Sequence, residues 1–390
     1  MTQTADRSTM STVHRQGGRS LGRMVMRGVL TGFAVVLACL CAGVGVLVMW
    51  SYPGKPEPFV DEAGRPVSGS VSEKIRVDIN GVAQGMFIKS RDVTHPVLLY
   101  LHGGLPDYFL DHQYPTGLDE YFTVVWWEQR GAGLSYGPDI PSETTTTEQF
   151  IADTVAVTNY LRQRFGKQKI YLMGHSGGSF FGIQAAARMP QLYHAYIGVA
   201  QIANQVESER LAYDYMLQRF RADGNTSMVR KLEAAPVTRA AGVPPAYLII
   251  RDTAMHSLGI GTMHNMRSVV SGIFLPSLQS REYTLGEKVN LWRGKFGAGV
   301  SSLWSEMITT DLNTTVTDLS IPVYFLHGTY DYTCSYSLAR AYFDNLGAPV
   351  KGFYTFDRSA HSPIFEEPDK VQRILNSDVL AGTNSKADSR

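Results

Sequence analysis

Lys169-Ile-Tyr-Leu-Met-Gly-His-Ser-Gly-Gly-Ser179 is the stretch on which the reading of this chain turns. Ile170 to Met173 is a short apolar run of the kind a buried strand requires, and Ser179 to Arg188 has the composition of a helix. Between them, Gly174-His175-Ser176-Gly177-Gly178 predicts a sharp strand-to-helix turn with Ser176 at its apex. A serine held there stands clear of the sheet, and its strained backbone needs small neighbours, which Gly174 and Gly178 supply. The same turn leaves the Gly177 N–H at the positive end of a helix, aimed where negative charge would develop on an attacked carbonyl.

Working outward from this turn, strands and helices alternate. Val71–Ile79 and Gln84–Ser90 predict an antiparallel hairpin closed at Asn80-Gly81. Val97–Leu101 is an apolar strand followed by His102-Gly-Gly-Leu-Pro106, and Phe122–Trp127 is another, followed by Glu128-Gln-Arg-Gly-Ala-Gly-Leu-Ser135. Thr145-x-x-Glu148 offers a capping box to a helix with Ile151, Val155, Thr158, Leu161 and Phe165 on one face. After the central helix comes a strand over Tyr196–Ala200, and then residues 201–320 turn helical, with no strand alternation. Strand character returns at Pro322–Leu326 and Val350–Phe356, separated by a helix over Ser337–Leu346, and Pro363–Leu380 predicts a closing helix. This alternation implies a mostly parallel sheet with helices on both faces. Residues 71–200 and 321–380 are then the core, 201–320 an inserted helical cap, and 381–390 a flexible polar tail.

A serine hydroxyl needs a base to take its proton, and the base needs an acid to orient it. Reading forward from Ser176, Asp331 follows the strand Tyr324-Phe-Leu-His327, and His361 follows the strand ending at Phe356. Both fall at strand C-terminal ends, where open α/β sheets assemble their sites. Asp357 is a competing acid on the approach to His361, and His327 is read as a structural hydrogen-bonding group. The second oxyanion donor is expected from Gly104, with Leu105 the neighbouring candidate, alongside Gly177. Glu128 and Arg130 are expected to hold their turn as an ion pair. No histidine pair has zinc-ligand spacing and no H-E-x-x-H motif occurs, so a metal mechanism is not expected.

At the N-terminus, residues 1–28 hold five arginines against one aspartate, and Val29–Trp50 carries no charge. The predicted arrangement is a basic cytoplasmic segment (1–28), a transmembrane anchor (29–50) and a proline-rich linker (51–70). The catalytic part would then lie outside the cell membrane; a cleaved signal peptide, leaving a secreted protein, is the alternative. Net charge is +1 with no basic patch, which disfavours nucleic acid as a partner. Cys39 and Cys41 sit in the apolar run, so Cys334 has no partner for an internal disulfide in the remainder. Oligomeric state is not legible.

The succession His-Gly-Gly at 102–104, Glu-Gln-Arg-Gly-Ala-Gly-Leu-Ser at 128–135, Gly-His-Ser-Gly-Gly-Ser at 174–179, Asp331 and Ser-Ala-His-Ser-Pro at 359–363 resembles the α/β-hydrolases related to proline iminopeptidases. The resemblance implies an α/β-hydrolase fold with a helical cap and a Ser176–Asp331–His361 triad. It also implies cofactor-free hydrolysis of a peptide, amide or ester bond in a small-molecule or short-peptide substrate. This chain has Leu105-Pro106 where the family has Pro-Gly, and Glu128 where it has Asp. An aminopeptidase must also hold a free amino group, and Glu207, Glu209, Asp214 and Glu306 are the cap carboxylates available. A carboxylesterase or lipase-like hydrolase is the nearest alternative, and a non-catalytic binding module on the same shell is the other.

Overall fold

The computed structural model describes residues 16–240, 242–298 and 302–389. The described residues divide at Trp50/Ser51 into two separate compact units. In the first, helix α1 runs over Gln16–Trp50. Its Arg23–Trp50 stretch is apolar and long enough to cross a membrane, a property that anchors share with signal sequences. The helix begins upstream of the expected span at 29–50, because helical propensity does not stop where the arginines begin; residues 1–15 lie outside the described ones.

The second unit is built on an eight-stranded sheet. Its strands are β1 (Val71–Ile79), β2 (Val82–Ser90), β3 (Val97–Leu101), β4 (Thr123–Glu128), β5 (Ile170–His175), β6 (Tyr193–Val199), β7 (Val323–Gly328) and β8 (Lys351–Phe356). They lie in the order β1-β2-β4-β3-β5-β6-β7-β8. The first two pairings, β1 with β2 and β2 with β4, are antiparallel, and all the rest are parallel. Strands β3, β4, β5 and β7 are buried at every position, as strands covered on both faces must be. Chain order reverses direction across β3, which has β4 on one side and β5 on the other. The loops after β3 and β5 therefore face each other at the sheet's switch point, where sites form in open α/β sheets.

Helices α2 (Thr147–Phe165), α3 (Gly177–Arg188) and α4 (Tyr336–Asn345) cover one face, where Leu99, Leu101, Leu172, Ile183 and Phe325 interlock. The other face packs Tyr100, Trp126, Met173 and Leu326 against Phe365, Val371 and Leu375. Between β6 and β7 the chain is helical, with a small core of its own around Met216, Leu232, Tyr247 and Met255.

Four expectations are corrected. The cap of α2 is Thr146, which accepts from Gln149 N at 3.2 Å; among four consecutive threonines the pattern could not choose the register, and Glu148 pairs with Arg188 instead of closing a capping box. The expected linker belongs to the second unit. Gly54 N donates to Arg281 O at 3.0 Å, and Lys74 Nζ donates to Gly54 O at 2.5 Å. Prolines report an extended backbone, and an extended backbone still finds partners. The tail is also tied down, because Asp378 accepts from the amides of Ser385 and Lys386 and Asp388 accepts from Thr355 N at 3.0 Å. The closing helix is broken at Glu367-Pro368, since proline cannot continue the hydrogen-bond ladder, giving Pro363–Glu366 and Pro368–Ile374.

Candidate active site

Strand β5 delivers Ser176 with φ 54° and ψ −124°, a region that side chains other than glycine rarely occupy. The conformation is held by Ser176 N donating to Val199 O at 3.1 Å and Ser179 N donating to Ser176 O at 2.8 Å. A Cβ on Gly178 would come within 2.2 Å of Leu101 O, and one on Gly174 within 2.7 Å of Gly178 O, so the elbow admits glycine alone at both positions.

The loop after β3 lies directly over this turn. A Cβ on Gly103 would meet Ser176 Cβ at 2.8 Å and Oγ at 3.1 Å, and one on Gly177 would lie 3.9 Å from Gly104 N. Gly104 and Gly177 are thus brought to the same spot beside the Ser176 hydroxyl. The Leu105 side chain packs back against the core. His102 fixes the loop. Its Nδ1 donates to Gly103 O at 2.7 Å and its Nε2 accepts from Gln129 N at 3.2 Å, the pattern of a neutral ring. Burial agrees, pushing the His102 pKa down to about 4.

Asp331 and His361 arrive at the ends of β7 and β8 and meet, with His361 Nδ1 at 3.0 Å from Asp331 Oδ2. The amides of Thr333 and Cys334 donate to Asp331 Oδ1, each at 2.9 Å. Burial alone would raise the Asp331 carboxyl, but His361 and His327 beside it hold it well below the usual carboxylate range. His327 Nε2 donates to Cys334 O at 2.7 Å and lies 3.2 Å from Asp331 Oδ2. Asp357 is exposed, and among the described residues its carboxylate makes no hydrogen bond with either member of this pair.

Burial pushes the His361 ring below its ordinary value of 6.5, against the opposing pull of Asp331. A base must be neutral to accept a proton. Activity that depends on His361 is therefore expected to be favoured at neutral pH and to fall as pH drops through a value under 6.5. The acid limb of a pH profile of kcat/KM measures this, and a midpoint above 6.5 would contradict it.

Among the described residues, the Ser176 hydroxyl makes no hydrogen bond with the His361 ring. It lies close enough to the Cys334 thiol to act on that group's acidity. Unliganded sites often carry this contact long and close it when substrate fills them. The histidine is nonetheless fastened to the elbow from behind. His175 Nε2 donates to the His361 carbonyl at 2.9 Å, and the two rings stand 5.0 Å apart. His175 Nδ1 in turn lies 3.1 Å from Asp107 Oδ2, to which Tyr100 also donates at 2.6 Å. This Tyr100–Asp107–His175 cluster escaped sequence reading; its one signal was the histidine inside Gly-His-Ser-Gly-Gly.

The expected Glu128–Arg130 ion pair does not form. Arg130 instead pairs with Asp153, through Nε at 2.8 Å and Nη2 at 3.0 Å, and Glu128 accepts from Leu134 N and from the Tyr283 hydroxyl. Burial pushes the Glu128 carboxyl up to about 8. Two residues apart on a chain leaving a strand, the two side chains face different neighbours, and neither touches the site. The cap carboxylates are likewise engaged. Glu207 binds Arg210 and Arg239, and Asp214 binds Arg210 at the surface. Glu209, fully buried, accepts from Arg251, Tyr247 and Gln205, and Glu306 accepts from Thr147 N.

Comparison with known proteins agrees with this architecture. The sequence family described as alpha/beta hydrolase fold matches residues 96–368. Probable aminopeptidase YbaC of Bacillus subtilis (strain 168) is 32% identical over 319 residues, covering 80% of this chain and 97% of that protein. Among solved structures, a proline iminopeptidase-related protein from Thermus thermophilus superposes with a TM-score of 0.55 at 19% identity, covering 80% of this chain and 98% of the other. The proline iminopeptidase of Mycobacterium smegmatis gives 0.53 at 17% identity, covering 79% and 99%. At such identities the two structures speak for the fold.

Proposed function

Because this chain belongs to the alpha/beta hydrolase fold family, we propose that it is a serine hydrolase that opens a peptide, amide or ester bond through an acyl-enzyme. The observation that carries the reading is the buried Asp331–His361 pair, hydrogen-bonded at 3.0 Å and anchored through His175 to the strained Ser176 turn. Ser176 Oγ adds to the substrate carbonyl carbon while its proton passes to His361 Nε2. The carbonyl π electrons move onto oxygen, and the amides of Gly177 and Gly104 receive the oxyanion. Collapse expels the leaving group, which takes the proton from His361, and leaves the acyl group on Ser176. Water, deprotonated by the same ring, repeats the addition and releases the acid.

Within this reading, aminopeptidase activity draws support from the name of the Bacillus relative, and ester hydrolysis is the alternative. The apolar N-terminal helix supports placing the enzyme at the cell membrane with its catalytic unit on the outer side, the five arginines remaining inside. A fluorophosphonate probe is expected to label the full chain at Ser176, located by mass spectrometry of the labelled peptide. Labelling elsewhere, or none, would remove the serine-hydrolase assignment. Turnover of N-terminal prolyl anilides against short acyl esters separates the two bond classes: hydrolysis of the esters alone would set aside the aminopeptidase.

A further inference from the structure

The cap helix Leu285–Ala298 carries a cation to the mouth of the site. A Cβ on Gly104 would meet one atom within 4 Å, and that atom is Lys295 Nζ, at 3.5 Å. Gly104 is itself exposed there, so solvent and ligands reach the residue that the ammonium adjoins. Among the described residues no hydrogen bond or ion pair engages Lys295; against the cost of burial, Arg251 and then Lys295 help to hold the Asp252 carboxylate in the charged form.

The carboxylates of the neighbouring cap network already have partners. From the nucleophile the cap floor runs through the Cys334 thiol to Gln205, 3.8 Å away, then to Glu209 at 2.9 Å. Glu209 is bound by Arg251 Nε at 2.7 Å, and the same guanidinium binds Asp252 at 2.9 Å. A substrate amino group brought to this floor would find both carboxylates occupied and an ammonium facing it. A substrate carboxylate would find Lys295 without a hydrogen-bonded partner, with Asp252 as its charged neighbour, beside the Gly104 amide proposed to receive the carbonyl.

From this arrangement, and resting on the hydrolase reading of the same site, we infer that the enzyme takes carboxylate-bearing substrates and that Lys295 is the residue that selects them. The carboxylate can come from the leaving-group side, as the C-terminus of a short peptide, or from the acyl side, as in a dicarboxylic monoacyl group. An ammonium–carboxylate hydrogen bond at a partly buried site gives a preference of about 10–100-fold over a neutral amide of the same shape.

The test reads binding, so that it does not depend on turnover. Full-length Ser176→Ala protein is titrated with two matched pairs: an N-acyl dipeptide and its C-terminal amide, and succinic monoanilide and its primary amide. In at least one pair the carboxylate is expected to bind about 10–100-fold more tightly, and the pair that shows it identifies the side. In Ser176→Ala/Lys295→Met that advantage is expected to disappear, in Lys295→Arg to persist in part, and in Lys295→Glu to pass to the corresponding amine. Absence of a carboxylate preference in both pairs, or a preference that survives Lys295→Met, would overturn the inference. Failure of the hydrolase reading would appear separately, as loss of fluorophosphonate labelling in the unsubstituted chain.

Discussion

Ser176→Ala is expected to lower kcat by about 10⁶, and Asp331→Asn by about 10⁴, with the fold intact in both. The serine result follows from removing the atom that forms the acyl bond; the remaining donors can only orient water. The aspartate result depends on local geometry. Asp331 Oδ1 accepts two backbone amides, from Thr333 and Cys334, each at 2.9 Å. In the asparagine variant the carbonyl oxygen has to keep that position, because an NH₂ group cannot accept from two N–H donors. The amide nitrogen then faces His361 Nδ1 and donates to it, which drives the ring proton onto Nε2. That tautomer has no lone pair directed at Ser176, so it cannot take the hydroxyl proton. Steady-state kinetics on a chromogenic ester measures both effects, with circular dichroism to establish folding. An Asp331→Asn enzyme within tenfold of the parent would remove Asp331 from the triad.

The largest loss of stability is expected from Asp153→Ala, about 3–5 kcal/mol. Asp153 is fully buried on α2 and collects five donors: Arg130 through Nε and Nη2, Asn80 at 2.8 Å, Gln84 at 2.8 Å and Gln149 at 2.8 Å. Gln84 in turn accepts from Trp127 Nε1 at 3.0 Å. One carboxylate thereby joins the β1–β2 turn, the end of β4 and α2. Its removal strands a guanidinium that is almost wholly buried, and an unpaired charge there costs far more than the pair contributes. Urea unfolding followed by tryptophan fluorescence reads the change. A loss under about 1 kcal/mol would show that water or rearrangement rescues Arg130.

Comparing these two sites explains what was legible in the sequence. The residues proposed as the triad sit just past strands in a fixed chain order, and periodicity marks strand ends well, so Ser176, Asp331 and His361 could be proposed without coordinates. Asp153 could not. It occupies a helix position whose neighbours Phe150, Ile151, Thr154 and Val157 are also buried, and nothing local says that Arg130 would turn away from Glu128 to meet it. Long-range partners of polar groups depend on how elements stack, and one sequence carries little trace of that. Lys295 illustrates the same limit, being one cation among many until the cap is folded over Gly104. Strand limits shifted by only a few residues, as with β2 beginning at Val82 instead of Gln84, since pairing across a tight turn extends past the apolar run that announces it.

The stitching of Gly54 to Arg281 and Lys74 determines where the catalytic unit can be severed from its N-terminal helix. Trimming at Val71, where composition alone would cut, discards a brace that spans the first strand and the cap. A recombinant fragment starting at Ser51 keeps it, and so would a cut beside Trp50. Nicking nearer Val71 would part the N-terminal helix and break the Gly54 contacts in the same stroke.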